Sequence, residues 1–373
     1  MTDSTSDLLP EGLEDRLPAD AAKTARIMRA VLDTMDAHGY DRVIPPLVEF
    51  EKSLATRMAQ DGEGISTRKM FRFTDPSSLR TLALRSDITV QVGRIAATVM
   101  AGAPRPLRLC YAGDVAVMRA DQLDPARQRL QLGAELIGSD TVAAAGEIVS
   151  LAIEALEAAG AQGISVDLTL PDLVDTLAEQ ALPLAPDKIA AVRRELDTKD
   201  AGGLKAAGGE AYLPLLYATG PFADAIERLR AIDAGGALAS RIAGLEQIAE
   251  RVGDRARVTL DPTERHGFEY QSWFGFTIHA DGVRGALGRG GTYRIGGSDE
   301  AATGFSLFAD PLMAAMPDTG TRDRLFLPLG HDEGVAARLR TIGWRTVAAL
   351  SDQDNAAAAG CTHELSGSEA RKL

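Results

Sequence analysis

Apolar positions along the chain recur at helical and at strand spacings, so the sequence predicts both kinds of element. Between Asp20 and His38 the apolar residues fall on one helical stripe, which Gly39-Tyr40 ends. That stripe consists of Ala25, Met28, Val31, Leu32 and Met35. A second helix is predicted over Thr141–Ala159, where the aligned apolar residues are Ala145, Ile148, Ala152 and Leu156.

Shorter segments have the composition and turn residues of strands. Arg68–Thr74 and Leu79–Leu84 predict a hairpin around Asp75-Pro76-Ser77-Ser78, after which Ile88–Met100 predicts a helix. Prolines make Val43–Glu49 an extended segment. Further strands are predicted at Pro106–Val117 and Gln128–Gly133, which flank a loop at Asp121–Ala126, and at Arg257–Leu260, Ser272–His279 and Gly304–Phe308.

The pattern changes twice along the chain. From Pro171 to Val252, short Ala-rich helical segments alternate with Gly and Pro, which predicts a helical insertion. Pro317-Asp318-Thr319-Gly320 predicts a boundary, and the strand, helix and strand patterns after it predict a small β-α-β segment. We therefore predict one domain over residues 1–318, with its insertion at about 171–252, and a small C-terminal α/β segment over 319–373.

Composition narrows the class of protein. Apolar residues make up 45% and charged residues 25% of the chain, which is ordinary for a globular protein with a core. The net charge of −13 argues against a nucleic acid as the main ligand. We predict a cytoplasmic protein with no membrane partner. The two cysteines are far apart in the sequence, the N-terminal residues are polar, and no apolar run is long enough for a membrane helix.

Common catalytic signatures are missing from the sequence. It contains no phosphate-binding P-loop, no Gly-x-Ser-x-Gly elbow and no His-Glu-x-x-His helix. The five histidines have no metal-ligand spacing, so we expect neither a metal nor a cofactor. Arg289-Gly290-Gly291 is interpreted as a tight turn.

Several short motifs, taken in order, resemble those of histidyl-tRNA synthetases. Leu84-Arg85-Ser86-Asp87-Ile88-Thr89 is similar to the family's Leu-Arg-Pro-Glu-x-Thr, and Gln131 with Glu135 reproduces a Gln-x-x-x-Glu pair. The other matching segments are Gly39–Glu49, Met118–Asp121, Leu260–Tyr270 and Gly288–Tyr293. The resemblance covers residues 10–315 and implies an α+β fold, with a class II aminoacyl-tRNA synthetase-like antiparallel sheet flanked by helices.

The resemblance also implies a site for histidine. Asp87, Thr89 and Gln131 would bind the α-ammonium group, and Glu135 would accept a hydrogen bond from the imidazole. Tyr270 would form a wall, and the remaining candidates are Arg119 and His266. An even spacing places Gln131 and Glu135 on one face of a strand. Taken singly, Glu135 would be a surface carboxylate, but the accompanying Gln131 and Asp87 reverse that interpretation. Tyr293 and Trp273 are interpreted as core residues and Cys110 as a buried thiol.

Three departures affect the groups that would hold ATP. Pro311 stands where the family has an ATP-binding arginine, and His266 stands where it has a catalytic arginine. Either Arg119 or Val117 occupies a third such position. Charge that builds on a reacting phosphate needs fixed cationic donors, so we expect no catalytic residues.

The C-terminal segment also differs from that of a histidyl-tRNA synthetase, because it lacks the features of a tRNA-binding domain. Residues 322–373 contain seven basic and seven acidic side chains, which is short and neutral for a tRNA-binding domain. A synthetase frame with these losses resembles the regulatory subunits of ATP phosphoribosyltransferase. That resemblance implies a non-catalytic dimer that binds a short-form catalytic subunit, activates it in the first step of histidine biosynthesis and transmits inhibition by L-histidine, without tRNA. The alternatives are an active histidyl-tRNA synthetase, an amino-acid-binding relative from another pathway and, less favoured, a ligase with another acceptor.

Overall fold

A computed structural model describes residues 9–58, 70–118, 125–265, 271–316 and 323–373, which divide into a first unit, Met1–Met316, and a second unit, Pro317–Leu373. Strands of the first unit are β1 (Asp41–Arg42), β2 (Val48–Phe50), β3 (Arg72–Thr74), β4 (Thr81–Leu84), β5 (Leu107–Ala116), β6 (Gln128–Ile137), β7 (Ser165–Thr169), β8 (Gly220–Pro221), β9 (Arg257–Leu260), β10 (Gln271–His279), β11 (Gly288–Arg294) and β12 (Ala301–Phe308). Its helices are α1 (Pro18–Ala37), α2 (Glu51–Met58), α3 (Thr89–Ala97), α4 (Val142–Ala158), α5 (Leu173–Gln180), α6 (Pro186–Asp197), α7 (Ala201–Ala206), α8 (Phe222–Ile232), α9 (Ala239–Val252) and α10 (Ala309–Ala315).

Nine of these strands form one sheet in the order β1-β5-β6-β12-β11-β10-β7-β9-β8. Every pairing from β5 across to β7 is antiparallel. Parallel pairs occur only towards the edges of this sheet among the described residues, between β1 and β5 and between β7 and β9. The predicted class, an α+β fold with a mainly antiparallel sheet flanked by helices, is confirmed.

Helices α1 and α4 cover one face of the sheet. Ile27, Val31 and Met35, spaced four residues apart on α1, are buried, whereas Ala25 from the predicted stripe is exposed because it points away from this row. Helix α4 is capped by Thr141, whose hydroxyl accepts a hydrogen bond from the Ala144 amide at 3.3 Å. The even-numbered residues of β6 pack into the same apolar cluster, so the odd-numbered residues face the other side.

The other face of the sheet packs against α3. Ile88, Val92 and Ala96 form a second apolar cluster with Leu109 and residues of the neighbouring strands. A three-stranded sheet, in the order β2-β4-β3, stands beside this helix and contains the predicted hairpin. Helix α3 ends three residues earlier than the sequence pattern predicts, and β6 extends four residues further.

Five helices, α5 to α9, make up the predicted insertion between β7 and β9, which also contains the short strand β8. Their inward residues, such as Leu196, Leu204, Leu229 and Leu245, are buried in the main apolar cluster of the first unit. The insertion therefore shares that cluster. Among the residues described, no helix combines the length and apolarity that a bilayer crossing requires.

The second unit contains a four-stranded sheet and one described helix. Its elements are β13 (Arg324–Leu327), α11 (Glu333–Thr341), β14 (Arg345–Ala348), β15 (His363–Ser366) and β16 (Glu369–Lys372), with the strand order β14-β13-β15-β16. The predicted β-α-β pattern corresponds to β13, α11 and β14, where β13 and β14 pair in parallel. Leu325, Leu327 and Leu365 pack with Ala336 and Leu339 of α11.

One interpretation of the sequence is wrong and several strands were missed. Residues 289–291, taken for a tight turn, lie inside the central strand β11, because a glycine-rich segment can be extended when both neighbours pair with it. Strands β7, β15 and β16 had no separate prediction. The predicted boundary at 317–320 and most of the predicted loop at 121–126 fall outside the described residues.

Candidate amino-acid-binding site

Three glycines on adjacent strands line up beside Glu135 on the α3 side of the sheet. Gly304 of β12 pairs with Glu135, Gly291 of β11 pairs with Gly304, and Gly275 of β10 pairs with Gly291. A Cβ atom placed on Gly304 would lie 1.7 Å from Glu135 Oε2, which is far inside van der Waals contact. The row, here called the glycine floor, therefore makes room for the side chains of Glu135 and Gln271, which border a small space on this side of the sheet.

Glu135 closes one end of this space and is 1% exposed. Tyr293 Oη donates a hydrogen bond to Glu135 Oε2 at 2.7 Å, and Tyr111 Oη donates to Oε1 at 3.2 Å. Burial raises the pKa of Glu135 to about 8, and the hydrogen bond from Tyr293 opposes part of that increase. The carboxyl group is therefore mostly protonated at neutral pH.

A hydroxyl cluster joins Glu135 to the N-terminus of α3. Tyr111 Oη lies 2.9 Å from Thr89 Oγ1 and 3.0 Å from Ser306 Oγ. Burial raises the pKa of Tyr111 and of Tyr293 well above the usual phenol value, and the neighbouring carboxyls raise both further. Both phenols are therefore neutral and can donate or accept hydrogen bonds.

Gln131 and Asp87 form a second polar group beside this cluster. Gln131 Nε2 donates to Asp87 Oδ1 and to Ser306 Oγ, both at 2.8 Å, while its Oε1 accepts from the Ile88 amide at 2.9 Å. Asp87 Oδ1 also accepts from the Thr89 amide at 3.0 Å. These bonds fix both side chains before any ligand is bound.

The other end of the space is formed by Gln271, whose Nε2 donates to the Gly290 carbonyl at 2.8 Å. A Cβ atom on Gly275 would lie 2.9 Å from Gln271 Oε1, so this side chain lies against the glycine floor. The space between Glu135 and Gln271 is narrow. Its lining residues are Thr89, Glu135, Gln271, Gly290, Gly291, Tyr293, Gly304, Phe305 and Ser306.

Four of the seven predicted site residues, Asp87, Thr89, Gln131 and Glu135, are brought together and buried. Gln131 and Glu135 share a face of β6, because the odd-numbered residues of this strand all point to the α3 side. Glu135 is buried, in keeping with the preference that Gln131 and Asp87 give to a site residue over a surface carboxylate. Arg119, His266 and Tyr270 lie outside the described residues.

The sequence reasoning missed several residues of the site. Tyr111, Ser306 and Gln271 were not proposed, and Tyr293 was interpreted as core packing. Tyr293 is buried, but its hydroxyl is bonded to Glu135 and lines the space. Period-two spacing from Leu109 marks Tyr111 as a residue of the site-facing side. Trp273 and Cys110 are buried as expected, and burial raises the pKa of the Cys110 thiol to about 11.

Several described arginines near these elements already bind protein groups. Arg85 is buried and donates to the carbonyls of Asp114 at 2.7 Å and Pro45 at 2.9 Å. Arg16 pairs with Asp310 at 2.6 Å. Pro311 lies in the first turn of α10, where a proline needs no amide donor. Of the positions that the sequence analysis associates with ATP, the described residues include Pro311, which has no charge, whereas His266 and Arg119 lie outside them.

Known proteins share this frame across nearly the whole chain. The sequence profile of the histidyl-tRNA synthetase family matches residues 12–312, so the first unit is a histidyl-tRNA synthetase-like domain. A structure of an ATP phosphoribosyltransferase regulatory subunit/histidyl-tRNA synthetase from Bacillus halodurans has a TM-score of 0.80 at 23% identity, covering 96% of this chain and 97% of that one. Histidyl-tRNA synthetase from Nostoc sp. PCC 7120 gives a TM-score of 0.76 at 15% identity, covering 96% and 90%. These likenesses show the fold.

Sequence relatives define the family more narrowly. The ATP phosphoribosyltransferase regulatory subunit of Rhodospirillum centenum is 42% identical over 98% of this chain and 96% of its own length. The protein with the same name from Paramagnetospirillum magneticum is 42% identical over 98% of each chain. The chain belongs to the family of ATP phosphoribosyltransferase regulatory subunits.

The raised pKa of Glu135 generates a prediction about stability. In the unfolded chain the Glu135 carboxyl has its ordinary pKa of 4.5, whereas the folded protein holds the proton up to about pH 8. The contribution of this group to the free energy of unfolding is therefore largest below pH 4.5 and decreases as the pH rises to about 8. Glu135→Gln removes this titration while keeping polar atoms next to both tyrosines. We expect the stability of the variant, relative to the unchanged protein, to increase from pH 5 to pH 8 in urea unfolding.

The matched control for that measurement is Glu157→Gln, which changes an exposed carboxylate on α4. Its stability should follow that of the unchanged protein at every pH. Parallel curves for Glu135→Gln and the unchanged protein would show that the buried carboxyl does not hold a proton when folded.

Proposed function

We propose that this chain activates the short-form catalytic subunit of ATP phosphoribosyltransferase and transmits inhibition by L-histidine in the first step of histidine biosynthesis. The observation that carries the proposal is the buried Glu135 carboxyl at the end of the glycine floor, inside a synthetase-like domain. Its relatives named as regulatory subunits support the regulatory role. The catalytic subunit would be a glycosyltransferase and the chemistry would remain there.

Histidine fits the distribution of polar groups around the cavity. Its imidazole N–H would donate to Glu135, between the two tyrosine hydroxyls that already hold this carboxyl. Its α-ammonium would bind the Asp87 carboxylate, which Gln131 Nε2 and the Thr89 amide hold in place, and Thr89 Oγ1 is a further acceptor nearby. By the family resemblance, Arg119, His266 and Tyr270 would complete the site.

The same site is unsuited to activating histidine with ATP. Transfer to the α-phosphate requires cationic donors fixed around the charge that develops there. Pro311 supplies none, and His266 replaces the arginine that the family resemblance places at the catalytic position. The chain would therefore sense histidine without consuming it.

A role without tRNA is supported by the second unit. We assign residues 1–318 to the synthetase-like domain and 319–373 to a small α/β domain. Residues 322–373 have equal numbers of basic and acidic side chains, so they offer no excess positive charge to a phosphate backbone. The cytoplasm, where histidine and the catalytic subunit would be available, is the proposed location.

A dimer is proposed through the three-stranded sheet and the segment that precedes it. Ile44 is 76% exposed and Leu79 is 80% exposed, and Leu47, Phe50 and Phe73 add further exposed apolar surface along these elements. A group of exposed apolar side chains of this kind is characteristic of a protein interface. Burying it against a second copy would remove that surface from water.

Regulation requires only that histidine favour one state of the complex over another. Differential binding of this kind is typically worth about 1–3 kcal/mol. Removing the group that recognises the imidazole should abolish the difference without affecting surfaces elsewhere that bind the catalytic subunit.

Glu135→Ala should therefore weaken histidine inhibition by about tenfold or more while leaving activation intact. The measurement is phosphoribosyltransferase activity after mixing the variant with a short catalytic subunit, at increasing histidine. Glu157→Ala, which alters an exposed carboxylate, is the matched control and should behave like the unchanged chain. Unaltered inhibition with Glu135→Ala would place the sensor elsewhere, and failure of the unchanged chain to activate would refute the proposed function.

Histidine-dependent exchange of pyrophosphate into ATP separates this proposal from an active synthetase. We expect no exchange above background for the purified chain, because the phosphate-binding cations are missing. A histidyl-tRNA synthetase assayed in parallel serves as the positive control. Formation of histidyl-adenylate by this chain would contradict the non-catalytic role.

Ile44→Asp should shift the chain from dimer towards monomer in sedimentation velocity, because a charge would then lie inside the apolar interface. Leu350→Asp is the matched control, since Leu350 is 92% exposed and belongs to the second unit. Equal sedimentation of the two variants would exclude this surface as the dimer contact.

A further inference from the structure

All the groups bonded to Glu135 that the structure describes are neutral. Tyr293 and Tyr111 donate to its two oxygens, and neither phenol carries a charge at neutral pH. Within the described residues no cationic side chain contacts this carboxyl. A buried carboxylate without a cation is costly, so the ligand-free state favours the protonated acid.

The charged and titratable groups that the structure describes on the surrounding elements also favour the protonated acid. Asp87, which precedes α3, adds negative charge that disfavours ionisation of Glu135. Strand β5 contributes Tyr111 and β11 contributes Tyr293, while Gly304 and Ser306 of β12 do not titrate. Arg85 directs its guanidinium to the carbonyls of Asp114 and Pro45.

We propose that Glu135 carries a proton in the ligand-free subunit and transfers it to the imidazole of incoming histidine, which is then held as an imidazolium. This inference rests on the proposed function, because it assumes that histidine occupies the cavity above the glycine floor. In the transfer the O–H bond of Glu135 breaks and its electron pair stays on the carboxylate. The proton forms a new N–H bond with the lone pair of the ring nitrogen.

Neutral binding partners become an ion pair in this step, without exchange of a proton with water. Free histidine is largely uncharged on its ring at pH 7, since an unperturbed imidazole has a pKa of about 6.5. After transfer, the carboxylate accepts from the imidazolium as well as from Tyr111 and Tyr293. Three donors around one carboxylate stabilise its charge in a way that the empty cavity does not.

Transfer of the Glu135 proton would give histidine binding a characteristic pH dependence. Between about 6.5 and about 8 the acid holds a proton and the free imidazole does not, so affinity should be flat. Above this range Glu135 has lost its proton and binding must take one up. Below it both partners are protonated and binding must release one. Affinity should then fall by about tenfold per pH unit on either side.

The experiment is calorimetry of histidine binding to the full chain between pH 5.5 and pH 9, alone and with the catalytic subunit, in buffers of different ionisation enthalpy. We expect no net proton exchange at pH 7. The Glu135→Gln variant has no proton to transfer, so it should bind histidine at least tenfold more weakly. Its affinity should also lack the decrease at high pH that ionisation of Glu135 causes. Since histidine keeps its own amino group in both cases, the variant controls for titration of the ligand. Glu157→Gln should match the unchanged chain.

The position of the proton is measured directly by nitrogen NMR of ring-labelled histidine in the complex at pH 7. Two protonated ring nitrogens would support the transfer. One protonated and one unprotonated nitrogen would overturn it, as would release of a proton on binding at pH 7, and either result would leave the proposed function standing. Absence of histidine binding to both the chain and its complex would instead overturn the proposed function together with this inference.

Discussion

The constraint on which the site depends is the placement of one buried carboxyl against a row of residues that have no side chains. Glu135 can occupy its position because Gly304, directly opposite on the next strand, leaves room for its Oε2 atom. Gly291 and Gly275 extend the same row across two further strands. Most sheets fill such a face with side chains that pack on a helix. Here the described residues leave a small space at this point on the α3 side, beside the second apolar cluster, while the main apolar cluster covers the opposite face.

Under the proposed function, a synthetase-like frame would keep the part that recognises an amino acid without the groups that bind ATP. The polar residues that converge on the cavity come from β5, β6, β11, β12 and the start of α3, which are rigid elements of the sheet and its covering helix. Phosphate-binding groups depend on separate positions, one of which is Pro311. Because the two sets of residues are distinct, one can be lost while the other persists. The proposed use of this domain as a histidine sensor relies on that separation.

Much of the fold could be predicted from the spacing of apolar residues, since α1, α4 and most strands follow simple periodicities. Strand β11 could not, because glycine-rich residues give no periodic signal and pair only when both neighbours are in place. In the site, family motifs indicated Asp87, Thr89, Gln131 and Glu135. Tyr111 and Ser306 were missed, since their role depends on the cross-strand register, which brings residues 195 positions apart within hydrogen-bonding distance. Tyr293 was interpreted as a core residue for the same reason, because only the cross-strand register places its hydroxyl next to Glu135.

The sequence separation of the hydroxyl cluster has a consequence for biosynthesis of the protein. Thr89 lies near Ser306 across 217 positions, so the cavity does not exist until nearly the whole first unit has left the ribosome and closed its sheet. A small molecule that occupies the cavity can therefore associate only with the completed sheet, and by mass action it favours that state over partly assembled chains. Cellular supply of the amino acid would then influence how much correctly assembled subunit accumulates, in addition to what the assembled subunit does.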